Sequence, residues 1–303
     1  MTPGPGRYAG RFAPSPTGPL HFGSLLAAAA SYAQARANQG LWRVRIEDID
    51  PLREQPGADR GILDTLEGYG FEWDGAVTYQ SAFASQHEHL VEELLASGDA
   101  YRCSCSRRQL ADLPRGPLGV IYPGTCRNGS ASLDVAIRLR TTDEPITFND
   151  ILQGRQSQRL ESESGDFVIR RRDGLIAYQM AVVVDDHAQG ITEIVRGIDL
   201  LDSTPRQIWL QRLLGFQTPG YMHIPVATNE AGQKLSKSTG AAAIDVADAG
   251  PTLVKALLAL GQDPPGDLAV EAPAEIWRWA VANWHPDRMV GKKVLAASCF
   301  GFG

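Results

Sequence analysis

Three short stretches carry residue types that could do chemistry. The first, FAPSPTGPLHFGS at 12–24, contains His21 and Gly23 near its end. Prolines fix φ without needing N–H partners, while Gly18 and Gly23 let backbone come close to a ligand. A helix starting there would offer unpaired N–H groups and roughly half a positive charge, a seat for phosphate. His21 could then hydrogen-bond an oxygen that gains charge during reaction; a stiff loop with a capping His is the plainer alternative. The second stretch, KLSKSTG at 234–240, sets Lys234 and Lys237 around Ser236, with glycines at 232 and 240. Such a cationic loop could close over a triphosphate, or be a solvated turn. The third pairs CSC at 103–105 with YPGTC at 122–126. Cys103, Cys105 and Cys126 make three thiolate ligands of the kind tetrahedral zinc favours. No histidine lies in that segment, so the Tyr122 phenolate is the candidate fourth ligand; three ordinary buried thiols are the alternative.

The elements that must position these residues follow from pattern. Residues 10–13 read as a short strand, 21–38 as an alanine-rich helix with Gly40 as its C-cap, and 41–49 as a second, alternating strand. This β-α-β unit favours a doubly wound parallel α/β sheet, and the first stretch falls at the carboxyl edge where such sheets bind ligands. Helical patterns follow at 58–69 and 82–97. From 101 to 172 cysteines, turns and short strands (135–139, 167–171) interrupt the α/β rhythm, which resumes through 175–184, 191–196 and a helix at 204–214. The expected organisation is a Rossmann-type domain in two halves, 1–100 and 173–224, an inserted zinc-binding subdomain at 101–172, and a helical end piece at 225–303, with helices near 251–260 and 273–284.

Composition narrows the class. The 303 residues are 43% hydrophobic and 21% charged with net charge −6, as in ordinary globular proteins and unlike a uniformly basic nucleic-acid coat. No run approaches the ~18 apolar residues of a membrane helix and no secretory leader is evident. The expected compartment is the cytoplasm, where thiols stay reduced; a membrane partner is not expected, and a monomer is the default. GPGRYA at 4–9 matches a dinucleotide pattern but precedes the first strand, where that pattern has no mechanism. Asp185, Asp186 and His187 form a rival metal cluster or polar contacts at the sheet edge. Arg107–Arg108 and Arg170–Arg171–Arg172 are either backbone contacts for RNA or solvated faces. Cys299 stands apart.

Taken together, His-x-Gly at a helix start and KLSKS after the second half resemble the class I aminoacyl-tRNA synthetases. The wording RFAPSPTGPLHFG and RIEDID resembles their glutamate branch, over about residues 11–240. Only about sixty residues follow, leaving no room for an anticodon-binding domain. With C-x-C…Y-x-x-x-C in the insertion, the chain is similar to the glutamyl-queuosine tRNA(Asp) synthetases. The resemblance implies tRNA-independent activation of L-glutamate by ATP with Mg²⁺, then transfer to queuosine at the wobble position of tRNA(Asp). It implies a glutamate pocket of Arg11, Phe12, Ala13, Pro14, Ser15, Glu47, Tyr178 and Arg196, with Glu47 on the ammonium and Arg196 facing a carboxylate. It also implies ATP contacts from His21, Gly23, Lys234, Ser236 and Lys237, with His21, Gly23 and Lys237 catalytic, and one structural zinc. HFGS stands where the class more often has His-Ile-Gly-His, so no second His serves at position 24, and KLSKS has Leu in place of Met. A minimal glutamyl-tRNA synthetase and an inactive zinc-containing RNA-binding paralogue are the alternatives; a small-molecule adenylyltransferase is disfavoured by the lysine loop.

Overall fold

The computed structural model describes residues 7–116, 119–130, 132–229, 232–235, 242–296 and 300–301. Strand β1 (Ala9–Phe12) leads through the proline loop into helix α1 (Phe22–Ala37), which returns to strand β2 (Leu41–Ile46) parallel to β1. Seven alanines give α1 its intrinsic stability. Leu25 and Leu26 are buried against the sheet, each contributing about 2 kcal/mol over an exposed position. The helix does not end on Gly40 as expected. Asn38 is the C-cap and Gln39 takes the left-handed conformation, φ 52°. Gly40 is needed for space: a Cβ there would lie 2.6 Å from the Tyr8 ring.

Helix α2 (Ala58–Gly68) precedes β3 (Thr78–Tyr79), which pairs parallel to β2, and α3 (Ala84–Ser97) follows. The chain then enters β4 (Ala100–Cys103), the short ladder β5 (Arg115–Gly116) with β6 (Gly119–Val120), and β7 (Ala136–Leu139). Beyond these come β8 (Pro145–Asp150), β9 (Gly154–Arg159), the single turn α4 (Leu160–Glu163) and β10 (Phe167–Arg170). Strands β4, β7 and β10 form an antiparallel sheet of their own. Strand β8 does not: it meets the parallel sheet beside the later strand β12 and carries β9 with it, so 145–159 is tied to that sheet.

Helix α5 (Tyr178–Ala188), β11 (Glu193–Gly197), α6 (Thr204–Leu213) and β12 (Gly220–Ile224) complete the second half, with β11 and β12 parallel. The halves meet at β1 and β11, where Thr192 N–H donates to the Ala9 carbonyl at 2.9 Å. The carboxyl ends of β1 and β11 therefore open at one place, the switch point of a doubly wound sheet. The end piece holds β13 (Val226–Thr228), α7 (Ala249–Ala259), α8 (Pro273–Ala282) and β14 (Val294–Ala296), the last parallel to β13. Trp277 of α8 packs on Tyr32 and Phe71 with ring centroids 4.8 Å apart, and Trp42 lies 5.4 Å from Phe71. These aromatics lock α8 to the α1 side of the sheet; truncating one such ring to Ala costs about 3–5 kcal/mol.

Candidate active site

The proline loop is tied to the end of β2 by the Glu47 N–H, which donates to the Pro14 carbonyl at 3.0 Å. That bond sets Glu47 beside the exit of β1. Arg11 and Arg45, on adjacent parallel strands, converge on Asp186 of α5 at 3.0 and 2.8 Å. Arg45 also reaches Glu47 at 3.3 Å, and all four groups are largely buried. Burial pushes the Glu47 carboxyl up, and Arg45 and Arg11 only partly oppose it. Burial also pushes Asp186 up, but the two guanidiniums more than reverse this and hold it below the usual carboxylate range. Asp185 turns the other way, to Gln80 and His87, both at 2.6 Å. Asp185 and Asp186 thus take the polar alternative. His187 faces elsewhere, its ring stacked 3.6 Å from that of Phe216, and no metal group forms around it among the described residues.

Of the residues expected around glutamate, Arg11 and Glu47 come together here. Phe12 does not offer its ring: it is buried parallel to Trp42, with centroids 6.4 Å apart, leaving only backbone for a ligand. Ala13 and Pro14 are half-buried and Ser15 is exposed at the rim. Tyr178 opens α5 with 37% of its surface exposed. Burial pushes its hydroxyl up, and the charges of Arg196, Glu47, Arg11 and Asp186 act on it. Arg196, on β11, is 5% exposed. Its Nε donates to His223 Nε2 at 3.0 Å and its Nη2 to Thr204 Oγ1 at 2.7 Å, while Nη1 is buried with no hydrogen-bond partner among the described residues. A buried guanidinium nitrogen left open needs an anion.

His21 is the N-cap of α1, its Nδ1 accepting from the Ser24 N–H at 3.3 Å. The capping alternative is thus realised, and it fixes the ring at the helix tip. A Cβ on Gly23 would stand 3.1 Å from the His21 ring and 3.3 Å from the Leu235 carbonyl, so a glycine keeps helix tip and lysine segment in contact. Leu235 is buried, and Ile244 N–H donates to the Leu20 carbonyl at 3.0 Å. Both flanks of the lysine segment are therefore anchored at the start of α1. Lys234 pairs with Asp199 at 2.6 Å. Ser236 and Lys237 lie outside the described residues, as does Cys299.

The Sγ atoms of Cys103, Cys105 and Cys126 lie within 4.8 Å of one another. The Tyr122 oxygen completes the group, 3.3 Å from Cys103 Sγ and 3.5 Å from Cys105 Sγ, and accepts from the Cys126 N–H at 2.9 Å. Burial pushes the Cys126 thiol up, but bonds from Tyr122 and the Ser104 backbone outweigh it and bring it to about 7. Arg138 lies over the Tyr122 ring at 3.9 Å and donates to Cys103 Sγ at 3.3 Å, a cation where thiolate charge would collect. Three sulfurs and a phenol oxygen in one cluster fit a metal of borderline softness. Sequence reasoning found this set, named Asp186 without its partners, and missed Arg138, Arg45, Asp150 and His223. A charged residue inside an apolar strand, as in LWRVRI and GYMHI, was the available signal. Arg170, Arg171 and Arg172 are engaged within the chain, with Glu88, Asp173 and Asp134.

Residues 9–118 and 123–261 match the family described as tRNA synthetases class I (E and Q), catalytic domain. A glutamyl-Q tRNA(Asp) synthetase of Pseudomonas paraeruginosa is 54% identical over 95% of this chain and 97% of its own length. One from Pseudomonas aeruginosa is 55% identical over 93% and 95%. In fold, the chain superposes on a glutamate tRNA ligase from Elizabethkingia meningosepticum, solved with its amino acid. The TM-score is 0.78 at 23% identity, covering 97% of this chain and 68% of the other. No helix among the described residues is long and apolar enough to cross a membrane. The chain belongs to the glutamyl-Q tRNA(Asp) synthetase family within the class I synthetases, and is a ligase of that class.

Proposed function

We propose that this chain activates L-glutamate with ATP, without tRNA, and transfers the glutamyl group to queuosine at the wobble position of tRNA(Asp) in the cytoplasm. The observation that carries the reading is the buried Nη1 of Arg196, which has no hydrogen-bond partner among the described residues, together with the charges of Glu47 and Arg196 that both act on Tyr178. One carboxylate and one ammonium would satisfy this arrangement, and the guanidinium would bind the side-chain carboxylate. The glutamyl-Q tRNA(Asp) synthetases to which the chain is similar support the choice of glutamate and of the acceptor.

The α-carboxylate oxygen attacks the α-phosphorus of ATP, supplied as its Mg²⁺ complex. The bond from the α-phosphorus to the α,β-bridging oxygen breaks and pyrophosphate leaves. His21, Gly23 and the start of α1 line the phosphates; Lys234, Ser236 and Lys237 offset the charge on the departing oxygens. A queuosine hydroxyl then attacks the acyl carbon, losing its proton, and AMP departs. No covalent bond to a side chain is required, so positioning accounts for most of the rate. Cys103, Cys105, Tyr122 and Cys126 would hold zinc, which supplies a cross-link for a segment short of core. In domain terms, 1–100 and 173–224 form the Rossmann-type unit, 101–172 the zinc subdomain, linked to the parallel sheet by its β8 and β9, and 225–303 the loop and helical piece.

Glutamate-dependent ATP–pyrophosphate exchange in the absence of tRNA tests the first half-reaction, and its absence overturns the reading. Transfer of labelled glutamate to tRNA(Asp) with and without queuosine tests the second; transfer independent of queuosine would identify a 3′-end charging enzyme instead. Lys237→Ala should depress exchange far more than glutamate affinity.

A further inference from the structure

Behind Arg196 lie a carboxylate and an imidazole, both fully buried, that the reaction above does not use. Asp150 ends β8, and His223 sits on β12. Asp150 Oδ1 accepts the Leu152 and Gln153 N–H groups at 3.0 and 2.9 Å. Its Oδ2 receives the His223 backbone N–H at 3.1 Å and lies 2.6 Å from His223 Nδ1. On the other side of the ring, Nε2 stands 3.0 Å from Arg196 Nε. An arginine Nε always carries its proton, so Nε2 must present a lone pair. The ring proton then sits on Nδ1, where the carboxylate accepts it. Thr204 Oγ1, 3.2 Å from Nε2, can also donate to it, so Asp150 and Arg196 select one neutral tautomer and Thr204 accommodates it.

We infer that Asp150 and His223 are a positioning pair: the carboxylate fixes the imidazole as the Nδ1–H tautomer, and its Nε2 lone pair holds Arg196 so that Nη1 meets the side-chain carboxylate of the amino-acid substrate. The inference rests on the proposed role of Arg196. With Nε on His223 and Nη2 on Thr204, the guanidinium cannot turn about its long axis without breaking two buried hydrogen bonds. Nη1 then offers only donors along a fixed direction. A substrate amide oxygen could still accept, but its NH₂ group would meet N–H groups head on. Discrimination between glutamate and glutamine therefore depends on the hold as well as on the charge.

Protonating His223 would set Nε2–H against Arg196 Nε–H and place two cations in contact. Asp150, from β8, and Asp199, after β11, favour that proton; Arg196 and burial oppose it. Tyr221, stacked on His223 at 6.0 Å, stays protonated through burial and adds no charge. Opposition prevails, and the ring accepts a proton only below the ordinary histidine range. The hold is intact at neutral pH and is released in acid.

The test is exchange kinetics with glutamate varied, alongside ¹⁵N NMR of the histidine rings in the unmodified protein. Asp150→Asn keeps an oxygen for Leu152 and Gln153 but turns an NH₂ group on Nδ1. The ring then shifts its proton to Nε2, against Arg196. The expected result is at least a tenfold rise in KM for glutamate, a smaller change in kcat, and KM for ATP within twofold. Discrimination against glutamine should fall with it. His223→Ala should lose glutamate affinity, and His223→Gln, whose Oε1 can accept from Arg196, should regain most of it while losing the acid-side rise in KM. NMR should find His223 as Nδ1–H, a reading that needs no variant to fold. An Nε2–H tautomer, a folded Asp150→Asn with wild-type KM, or an unchanged acid-side rise in His223→Gln would each overturn the inference. Wild-type protein inactive with glutamate would instead overturn the reading of the reaction, and leave the tautomer measurement standing.

Discussion

Asp186→Asn isolates the charge network that joins the two halves of the sheet. The variant keeps the shape of the side chain and removes one negative charge from between two buried guanidiniums. Asp186 Oδ1 accepts from Arg11 Nε at 3.0 Å and from Arg45 Nη1 at 2.8 Å. Its Oδ2 accepts from Arg11 Nη2 at 3.4 Å. An asparagine can accept on one side only; its NH₂ group would confront a donor on the other. Removing one partner of a buried ion pair costs about 3–5 kcal/mol, because the remaining charge stays desolvated. Arg45 retains Glu47 at 3.3 Å and Asp185 at 3.8 Å, whereas Arg11 is left without its carboxylate, so the lower half of that range applies if Glu47 shifts toward it. For 303 residues, with an unfolding entropy of about 2.1 cal/mol/K per residue, that lower half, about 3–4 kcal/mol, corresponds to a fall in Tm of about 5–6 °C. Urea unfolding at neutral pH measures it. The native pKa of Asp186 lies below its ordinary value. Its stabilisation is therefore complete above the ordinary carboxylate range and disappears as pH falls through the native value. The gap between wild type and variant should narrow in acid. A loss under about 1 kcal/mol at neutral pH, or a gap that does not close in acid, would refute the assignment.

Two further predictions concern the other parts of the site. Cys126→Ser replaces the thiol brought to about 7 with a hydroxyl that does not ionise. Zinc per chain, measured by elemental analysis, should fall from one to near zero and the melting temperature with it; full zinc content in the variant would show that this cluster is not the metal site. Gly23→Ala puts a methyl 3.1 Å from the His21 ring and 3.3 Å from the Leu235 carbonyl. The ring and the Leu235 backbone must give by a few tenths of an ångström, so KM for ATP should increase severalfold; an unchanged KM for ATP would remove His21 and Gly23 from the nucleotide site.

The local part of the fold was legible because its causes are local. Prolines and glycines bracket α1, and the alternation of LWRVRI marks β2, so the expected helix at 21–38 and the observed Phe22–Ala37 differ only at the ends. The thiols were legible for the same reason, since tight spacing alone brings Cys103 to Cys105. What could not be read is set by contacts between distant segments. Strand β8 meets β12 through Asp150 and Tyr221, and no feature of PITFND announces which sheet it will join. Gly40 looked like a helix stop because glycine usually is one, whereas its reason is the Tyr8 ring laid across it. Asp185, Asp186 and His187 are consecutive and suggested one cluster. On α5 they point to three different places, toward His87, Arg11 and Phe216, because successive helical residues are turned by about 100°.

The separation of Arg11 from Asp186 has a consequence for how the chain is made. Translation proceeds at about 5–20 residues per second, and 175 positions separate the two partners. Between about 9 and 35 s therefore pass on the ribosome before the acid that neutralises Arg11 and Arg45 is synthesised. Until then Arg45 has only Glu47 and Arg11 lacks its carboxylate, so the β-α-β start buries Arg11 only at the cost of an unmatched charge. Newly made amino-terminal fragments should accordingly be poor at folding alone and attractive to chaperones, and the ligand pocket should form late, in one step, when α5 arrives.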